Sequence, residues 1–235
     1  MQQAEIRKQW EGAAPGWAQW EAANATWMEP ATEAMLAMAG VATGARVLDL
    51  ACGAGSQMLR AAQRVGAQGH VVASDIADTM LRHVRENACA AGLANVTTLA
   101  GAAEDLEVAP QSFDAVICRL GLMLFVAPAQ ALGQALVAVR RALRPGGKVA
   151  VVVFTTPAAN PFMAQPLQIL LRHAGKTPPA PGQPGIFALG ASGVLERLLG
   201  DSGFVGIEQR TVALPLRLPS AAQALAMMQE AFRRF

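Results

Sequence analysis

Few of the features that mark secreted, membrane or metal-binding proteins occur in this sequence. Its 235 residues include only three cysteines, Cys52, Cys89 and Cys118, and an odd, widely spaced set predicts neither a disulfide framework nor a metal site. This usage favours a reducing cytoplasmic compartment. The N-terminus has no apolar signal core. The longest strongly apolar run, residues 149–154, is far too short to span a bilayer.

Charged residues are also scarce, at 15% of the chain, and the net charge is +2. Basic residues form no run longer than Arg140-Arg141 or Arg233-Arg234, so nothing indicates a nucleic-acid partner. Apolar residues make up 53% of the chain, which is typical of a well-packed protein rather than a disordered one. The length fits one domain with appended segments.

Short β-branched segments alternate with helical patterns through the middle of the chain. Strands are predicted at residues 46–50, 70–74, 96–99, 113–118 and 148–154, and helices at 56–65, 78–91 and 128–143. We expect Asp78 to be the N-cap of the second of these helices. The alternation predicts an α/β, Rossmann-like doubly wound sheet, mostly parallel, with its ligand at the carboxyl ends of the strands.

The flanking segments divide the chain into four predicted regions. Residues 1–43 form an N-terminal helical cap with helices at 3–22 and 30–39, and residues 44–155 form the ligand-binding core. Residues 156–190 are proline-rich and predict an insertion or lid on the substrate side, with a helix near 166–174. Residues 191–235 return to the sheet, with a helix at 195–202, a sixth strand from Gly203-Phe204 to about Leu216, and a helix at 220–232 capped by Ser220.

The turn after the first strand reads Val-Leu-Asp-Leu-Ala-Cys-Gly-Ala-Gly over residues 47–55. Glycines allow a backbone to approach a ligand closely, and the next helix offers free N–H groups. Met58 stands where a dinucleotide fingerprint needs a third glycine, and the Lys-Ser/Thr pair of a P-loop is absent. Asp49 would repel a pyrophosphate. The turn therefore favours a phosphate-free cation, such as the ammonium and sulfonium of S-adenosylmethionine.

Two further strand ends match the rest of that molecule. Asp75 ends the second strand, 20 residues after Gly55, where a carboxylate can accept hydrogen bonds from both ribose hydroxyls. After the third strand, Ala102-Ala103-Glu104-Asp105 could meet an adenine amino group. Three strand ends thus offer an amino-acid site, a ribose site and an adenine site in order.

With these stretches the sequence resembles the class I S-adenosylmethionine-dependent methyltransferases, particularly the branch of ubiquinone and menaquinone C-methyltransferases. The matching stretches are residues 47–55, Ala73-Ser74-Asp75-Ile76 with Met80-Leu81, Ser112-Phe113-Asp114-Ala115-Val116, and Leu143-Arg144-Pro145-Gly146-Gly147. The resemblance covers residues 44–155 closely and 186–216 loosely. It is specific for the superfamily but not for a substrate.

The resemblance implies which residues meet each part of the cofactor. Residues of the glycine turn would line the methionine end, Asp75 would bind the ribose, Ile76 would pack on the adenine, and residues after the fourth strand would lie under the methionyl part. N-terminal segments close this site in the resembled family, so Trp17 or Trp20 is expected to cover the cofactor or substrate. The candidate cofactor-binding residues are Asp49, Ala51, Cys52, Gly53, Gly55, Asp75, Ile76, Met80, Ala102, Ala103, Glu104, Cys118, Arg119, Leu120 and Trp20.

Two departures from the family pattern affect the expected site and sheet. Ala102 stands where the family often has an aspartate that reaches the adenine amino group, so this contact is either lost or supplied by Glu104 or Asp105. Nothing after Ser220 predicts the family's antiparallel seventh strand. The sheet is then either truncated or completed by a partner chain. Because an unpaired sheet edge favours association, a homodimer is one of these alternatives.

The function expected from these residues is methyl transfer from S-adenosylmethionine to a small lipophilic or aromatic molecule. The acceptor pocket would come from the N-terminal helices and the insertion. No catalytic residue is indicated, since a general base is needed only if the acceptor must lose a proton. A non-catalytic cofactor-binding or dimerisation protein is one alternative. A nucleic-acid methyltransferase is another, although Cys118-Arg119-Leu120-Gly121 stands where its Asn-Pro-Pro-Tyr box would be.

Overall fold

A five-stranded parallel sheet forms the centre of the computed structural model, which describes residues 2–125, 129–177 and 185–230. Its strands are β1 (Arg46–Leu50), β2 (His70–Asp75), β3 (Val96–Ala100), β4 (Phe113–Arg119) and β5 (Leu143–Val152). They lie in the order β3-β2-β1-β4-β5, and every neighbouring pair is parallel. The strand order reverses between β1 and β4, and this confirms the predicted doubly wound α/β fold.

Helices cover both faces of the sheet. They are α1 (Gln2–Gln19), α2 (Glu21–Met38), α3 (Ser56–Val65), α4 (Asp78–Ala90), α5 (Ala129–Ala142), α6 (Pro161–His173), α7 (Val194–Asp201) and α8 (Ala221–Glu230). Single 3-10 turns lie at Ala103–Asp105, Leu122–Leu124 and Pro157–Ala159. Parts of the predicted helices at 128–143 and 220–232, and residues 178–184 of the predicted insertion, lie outside the described residues. No helix within the described ranges is long and apolar enough to cross a membrane.

Alternate side chains of the central strands enter two separate apolar clusters. Val47 and Ile117 pack with residues of α2, α3 and α4 on one face, whereas Leu48 and Val116 pack with residues of α5, α6 and α7 on the other. All four side chains are fully buried. Burial on both faces explains why the strand sequences are apolar nearly throughout, and each such side chain contributes roughly 1.5–3 kcal/mol.

The second helix begins earlier than predicted. The sequence prediction placed residues 23–29 between two helices, at 3–22 and 30–39. Instead α2 runs from Glu21 through Pro30 to Met38. Met35 and Leu36 of this helix are buried in the core. Their packing against the sheet offsets the hydrogen bond that the proline removes.

The predicted sixth strand is wrong. Among the described residues, none after Val152 forms a strand. Burial nevertheless alternates in this segment as it would in a strand, since the residues between the half-buried ones are exposed; the half-buried residues are Val212, Leu214, Leu216 and Leu218. The segment is instead attached by the Trp27 indole, which donates a hydrogen bond to the Leu214 carbonyl at 2.9 Å. Pro215 and Pro219 lack the N–H groups that a ladder needs.

Two further element boundaries differ from the prediction. β5 begins at Leu143, which pairs with Phe113, and regular pairing resumes at Lys148 opposite Ala115 after a register shift. The expected turn at 144–147 is therefore an irregularity within the strand. α6 begins at Pro161, five residues before the predicted start, because proline suits the first position of a helix.

The N-terminus of α4 is capped by a side chain from α1, not by Asp78 as predicted. The N-cap residue is Ala77, which has no capping side chain. The Glu11 carboxylate accepts hydrogen bonds from the backbone N–H groups of Asp78 at 2.6 Å and Thr79 at 3.1 Å. Although burial opposes it, these bonds lower the pKa of Glu11. Asp78 instead pairs with Arg7 at 3.4 Å, so two contacts join α1 to α4. The other predicted cap is confirmed, since the Ser220 hydroxyl accepts a hydrogen bond from the Gln223 N–H at 3.2 Å.

Candidate functional site

A cavity of about 1270 Å³, including the open space at its mouth, lies at the carboxyl ends of β1, β2, β3 and β4. The loops after these strands form one side, and α1 and α2 form the other. Its position agrees with the rule that open α/β sheets bind ligands where the strand order reverses.

The loop after β1 contributes Ala51, Cys52 and Gly53 to the cavity. The Cys52 N–H donates to the Ser74 carbonyl at 3.0 Å, and the Gly53 N–H donates to Asp75 Oδ2, also at 3.0 Å. Ala51 has a φ of 52°, a left-handed conformation that is uncommon for a residue with a side chain. Strained backbone of this kind occurs preferentially at ligand sites.

The loops after β1 and β4 touch each other at the floor of the cavity. A Cβ atom placed on Gly121 would lie 2.6 Å from the Ala51 Cβ and 3.1 Å from the Cys118 Sγ. Only glycine allows this approach. The neighbouring Leu120 lines the cavity with a φ of 60°, so each loop holds one non-glycine residue in a left-handed conformation.

Asp75 reaches the cavity from the end of β2. Its Oδ1 accepts a hydrogen bond from the Ala77 N–H at 3.0 Å, and its Oδ2 accepts one from the Gly53 N–H at 3.0 Å. Burial raises the pKa of Asp75, while these backbone donors oppose the rise. The Ile76 N–H adds to this opposition, and a carboxylate has about four acceptor positions, so Asp75 keeps capacity for a ligand hydroxyl.

Asp49 lies behind the cavity wall rather than on it. Its side chain is fully buried, and its Oδ1 accepts a hydrogen bond from Gln57 Nε2 at 3.3 Å. Its Oδ2 has no hydrogen-bond partner among the described residues. Burial raises the pKa of Asp49 to about 8, against the opposing effects of Gln57 and Arg119. A carboxylate in this position is stabilised by a cation in front of it, and Gln57 is the side chain between it and the cavity.

The corner beyond β3 combines small apolar residues with one carboxylate. Ile76, Met80, Ala102, Ala103 and Glu104 line it. Gln3 of α1 donates hydrogen bonds to Glu104 Oε1 at 2.8 Å and to Asp105 Oδ2 at 2.9 Å. Ala102 has no carboxylate, and Asp105 does not line the cavity. Glu104 is therefore the carboxylate that borders this corner. Trp10 of α1 closes the corner from above.

Arg119 places a half-buried positive charge on the cavity wall. Its guanidinium donates to the Thr32 hydroxyl at 2.8 Å and to the Ser56 hydroxyl, and it forms no salt bridge with any residue in the described ranges. Burial lowers the pKa of Arg119, and the charges of Glu21 and Asp49 oppose this effect. A guanidinium with neutral partners remains available to an anionic ligand group.

Most candidate residues predicted from the sequence line this cavity, but Asp49, Gly55, Cys118 and Trp20 do not. A Cβ on Gly55 would lie 3.1 Å from Val84 Cγ2 and 3.2 Å from Met58 Cε, so this glycine lets α3 and α4 pack closely. Cys118 is buried beside Gly121. The Trp20 indole points away and donates to Glu230 Oε2 at 2.7 Å. Trp17, the other tryptophan considered, lines the cavity.

The sequence interpretation missed one whole wall of the cavity. Glu21, Asn24, Trp27 and Met28 of α2 line it, and their spacing of three or four residues is that of one helix face. This signal was present in the sequence, but the prediction placed residues 23–29 between two helices and so did not join these residues into one face. Leu124, Phe125 and Phe154 complete the wall. No cluster of His, Cys, Asp or Glu in the described part of the chain is arranged to hold a metal ion.

Comparison with known proteins identifies relatives of this chain. A family model described as a methyltransferase domain matches residues 42–172. Nocamycin O-methyltransferase of Saccharothrix syringae is 31% identical over 215 residues, which are 86% of this chain and 74% of that protein. The ubiquinone/menaquinone biosynthesis C-methyltransferase UbiE of Ectopseudomonas mendocina is 37% identical over 129 residues, which are 54% of this chain and 48% of that protein. The chain thus spans only about half the length of this second relative.

Solved structures share the fold at low sequence identity. A phosphoethanolamine N-methyltransferase 2 of Haemonchus contortus, in complex with phosphomonomethylethanolamine and S-adenosylhomocysteine, matches with a TM-score of 0.56 and 24% identity over 76% of this chain and 38% of that one. The [4+2]-cyclase SpnF matches with a TM-score of 0.55 and 19% identity over 74% of this chain and 56% of that one. Because these names differ in chemistry, the likeness concerns the fold alone.

Proposed function

Because the chain belongs to the class I S-adenosylmethionine-dependent methyltransferases and uses that compound as methyl donor, we propose that it methylates a small lipophilic or aromatic molecule. One observation supports this class of acceptor. The part of the cavity away from the residues proposed to bind the cofactor is apolar. Trp17, Trp27, Leu124, Phe125 and Phe154 line that part of the cavity. The Trp27 and Phe154 rings lie 6.2 Å apart between centroids, a distance at which aromatic rings stabilise each other.

The cavity residues fit the cofactor in both charge and position. The unpartnered Oδ2 of Asp49 supports an ammonium or sulfonium in front of the glycine turn, and the Arg119 guanidinium would bind the carboxylate of the methionine part. Asp75 would accept hydrogen bonds from the two ribose hydroxyls. Ile76, Met80, Ala102, Ala103 and Glu104 would enclose the adenine. Ala51, Cys52, Gly53 and Leu120 would form the backbone surface under the methionyl chain.

When bound, S-adenosylmethionine supplies a methyl carbon that its sulfonium activates, and the protein supplies alignment and a dry site. The loops after β1 and β4 would orient the donor, and the tryptophans of α1 and α2 would exclude water from it. Glu11 attaches α1 to the start of α4. Removal of water strengthens every charge interaction inside the cavity.

The proposal extends to the organisation of the whole chain. Residues 1–43 would act as the cap, 44–155 as the cofactor-binding core, 156–190 as the substrate-side insertion and 191–235 as the remaining part of the domain. Three free cysteines, with Cys89 exposed, support a reducing cytoplasmic setting. No described strand pairs with the outer edge of β5. Because an unpaired sheet edge favours association, this supports a homodimer. Sedimentation equilibrium would measure the mass of the protein in solution and so test for the dimer.

A two-step experiment tests the proposed function. Calorimetric titration with S-adenosylhomocysteine first measures cofactor binding. Formation of S-adenosylhomocysteine from S-adenosylmethionine is then followed by mass spectrometry with separate panels of lipophilic aromatic compounds, hydrophilic metabolites and oligonucleotides. We expect turnover with members of the aromatic panel. Turnover confined to hydrophilic compounds or oligonucleotides, or cofactor binding without methylation of any panel, would contradict the proposal.

A further inference from the structure

Two polar side chains of α2 that line the cavity each have one buried atom without a hydrogen-bond partner among the described residues. Asn24 is 3% exposed, and its Nδ2 has no hydrogen-bond partner among the described residues. Oε1 of Glu21 is likewise buried and unpartnered within the same ranges. Both residues line the cavity, one helical turn apart. Buried polar atoms without partners are rare in native proteins because each loses its hydrogen bonds to water, so this pair indicates a missing ligand group.

The location of the pair relates it to the acceptor rather than to the adenosine. Trp27 and Met28 continue the same helix face, and Trp27 packs against Phe154, which follows β5. The ribose and adenine residues follow β2 and β3, on the other side of β1. The charge of Glu21 is also felt at the methionine end. It adds to burial in raising the pKa of Asp49 and of Cys52.

The chemistry of the two side chains defines the ligand group. A carboxylate oxygen accepts hydrogen bonds, and an amide nitrogen donates them. A hydroxyl group both donates one hydrogen and accepts through its lone pairs, so a single hydroxyl can satisfy Glu21 and Asn24 together. The aromatic rings beside them provide an apolar surface for the rest of the molecule. A phenol-like acceptor fits both features.

We propose that Glu21 and Asn24 bind the hydroxyl of an aromatic acceptor and that Glu21 removes its proton during O-methylation. The inference rests on the proposed methyltransferase function. As the hydroxyl oxygen forms a bond to the methyl carbon, the carbon–sulfur bond breaks and its electron pair stays on sulfur. The hydroxyl proton passes to the Glu21 carboxylate and from there to solvent. Asn24 donates to the oxygen and orients its lone pair toward the methyl group.

Calorimetry on the protein saturated with S-adenosylhomocysteine tests this assignment. The two probes are 2-naphthol and 2-methylnaphthalene, which have nearly the same shape but differ in the hydroxyl. We expect the wild-type protein to bind 2-naphthol roughly tenfold or more tightly, as hydrogen bonds to a charged group imply. Glu21→Gln and Asn24→Leu should each reduce this preference. Glu29→Gln is the matched control, because it removes the same charge from an exposed position on α2.

The outcomes separate this inference from the proposed function. If wild type binds neither probe, or binds both equally, no hydroxyl site exists on this wall and the inference is overturned. If Glu21→Gln weakens S-adenosylhomocysteine tenfold, Glu21 belongs to the cofactor site and the inference also falls. Methyl transfer to acceptors without a hydroxyl, unaffected by Glu21→Gln, would keep the proposed function and remove the role of Glu21. Thermal unfolding of each variant shows that it is folded.

Discussion

The Asp75 carboxylate offers the most direct test of the proposed cofactor site. Asp75→Asn preserves the size of the side chain but replaces one oxygen with an amide nitrogen. Both oxygens accept backbone hydrogen bonds at 3.0 Å, from Gly53 and Ala77. The amide nitrogen would therefore face one of these N–H donors and could accept no hydrogen bond from it. The charge that strengthens the bond to a ribose hydroxyl would also be lost.

The expected effect of Asp75→Asn follows from these contacts. Hydrogen bonds to charged groups contribute about 1.5–3 kcal/mol, and neutral ones about 0.5–1.5 kcal/mol. We expect S-adenosylhomocysteine binding to weaken by about 1–3 kcal/mol, which is roughly 5- to 150-fold in Kd. The glycine turn would also lose part of its attachment to β2, so a modest fall in thermal stability should accompany the loss of affinity.

Isothermal titration with S-adenosylhomocysteine measures this change, and Asp78→Asn is its matched control. Asp78 lies three residues away, and its side chain is 67% exposed in an ion pair with Arg7. The control removes the same charge without reaching the cavity. An unchanged Kd in Asp75→Asn, or an equal weakening in both variants, would refute the assignment of Asp75 to the ribose.

Two other predictions concern pH and the attachment of α1. Burial raises the pKa of Asp49 from its ordinary 3.8 to about 8. The Asp49 carboxyl of the folded, cofactor-free protein is therefore protonated at neutral pH. Between pH 4 and 8 the free energy of unfolding falls as the pH rises, because the folded state binds this proton more tightly than the unfolded state. A cationic cofactor favours the ionised form, so its affinity should increase from pH 5 to 8. Calorimetry would measure the cofactor affinity of the wild type and of Asp49→Asn across this pH range. The ratio of the two affinities cancels the titration of the cofactor itself. A ratio that does not change with pH would contradict a role for the Asp49 charge in cofactor binding. Glu11→Ala should cost about 0.5–2 kcal/mol, because the α4 N-terminus loses its cap. Urea unfolding compares it with Glu5→Ala, an exposed change on the same helix, and equal stabilities of the two variants would show that the cap contributes nothing.

The proposed cofactor half of the cavity could be predicted from the sequence for a specific reason. Its residues come directly after strands, as Ala51 follows β1, Asp75 ends β2 and Leu120 follows β4. Short apolar strands between turn residues are visible in a sequence. Once the strands are parallel, their carboxyl ends lie at one edge. The local sequence pattern and one topological rule were therefore enough to predict that these residues lie close together, without knowledge of side-chain packing.

The proposed acceptor half depended on packing that no local pattern specifies. Residues 23–29 were predicted to lie between two helices, yet α2 runs through them as one continuous helix whose Met35 and Leu36 are buried in the core. Likewise, a sixth strand was predicted from Gly203-Phe204 to about Leu216. Its apolar side chains instead pack on the domain, and the Trp27 indole binds the Leu214 carbonyl. In both segments tertiary contacts outweighed local preference.

By itself, the sequence determined the α/β fold, the glycine turn and the three strand ends that match S-adenosylmethionine. Only the tertiary structure decided which side chains reach the cavity. Asp49 lies behind Gln57, Trp20 turns toward α8 while Trp17 faces inward, and Glu21 with Asn24 occupies a wall that the sequence did not reveal. The reason is geometric. Successive residues of a helix point about 100° apart, so the rotation of α1 and α2 on the sheet, which distant contacts set, selects the residues that face the ligand.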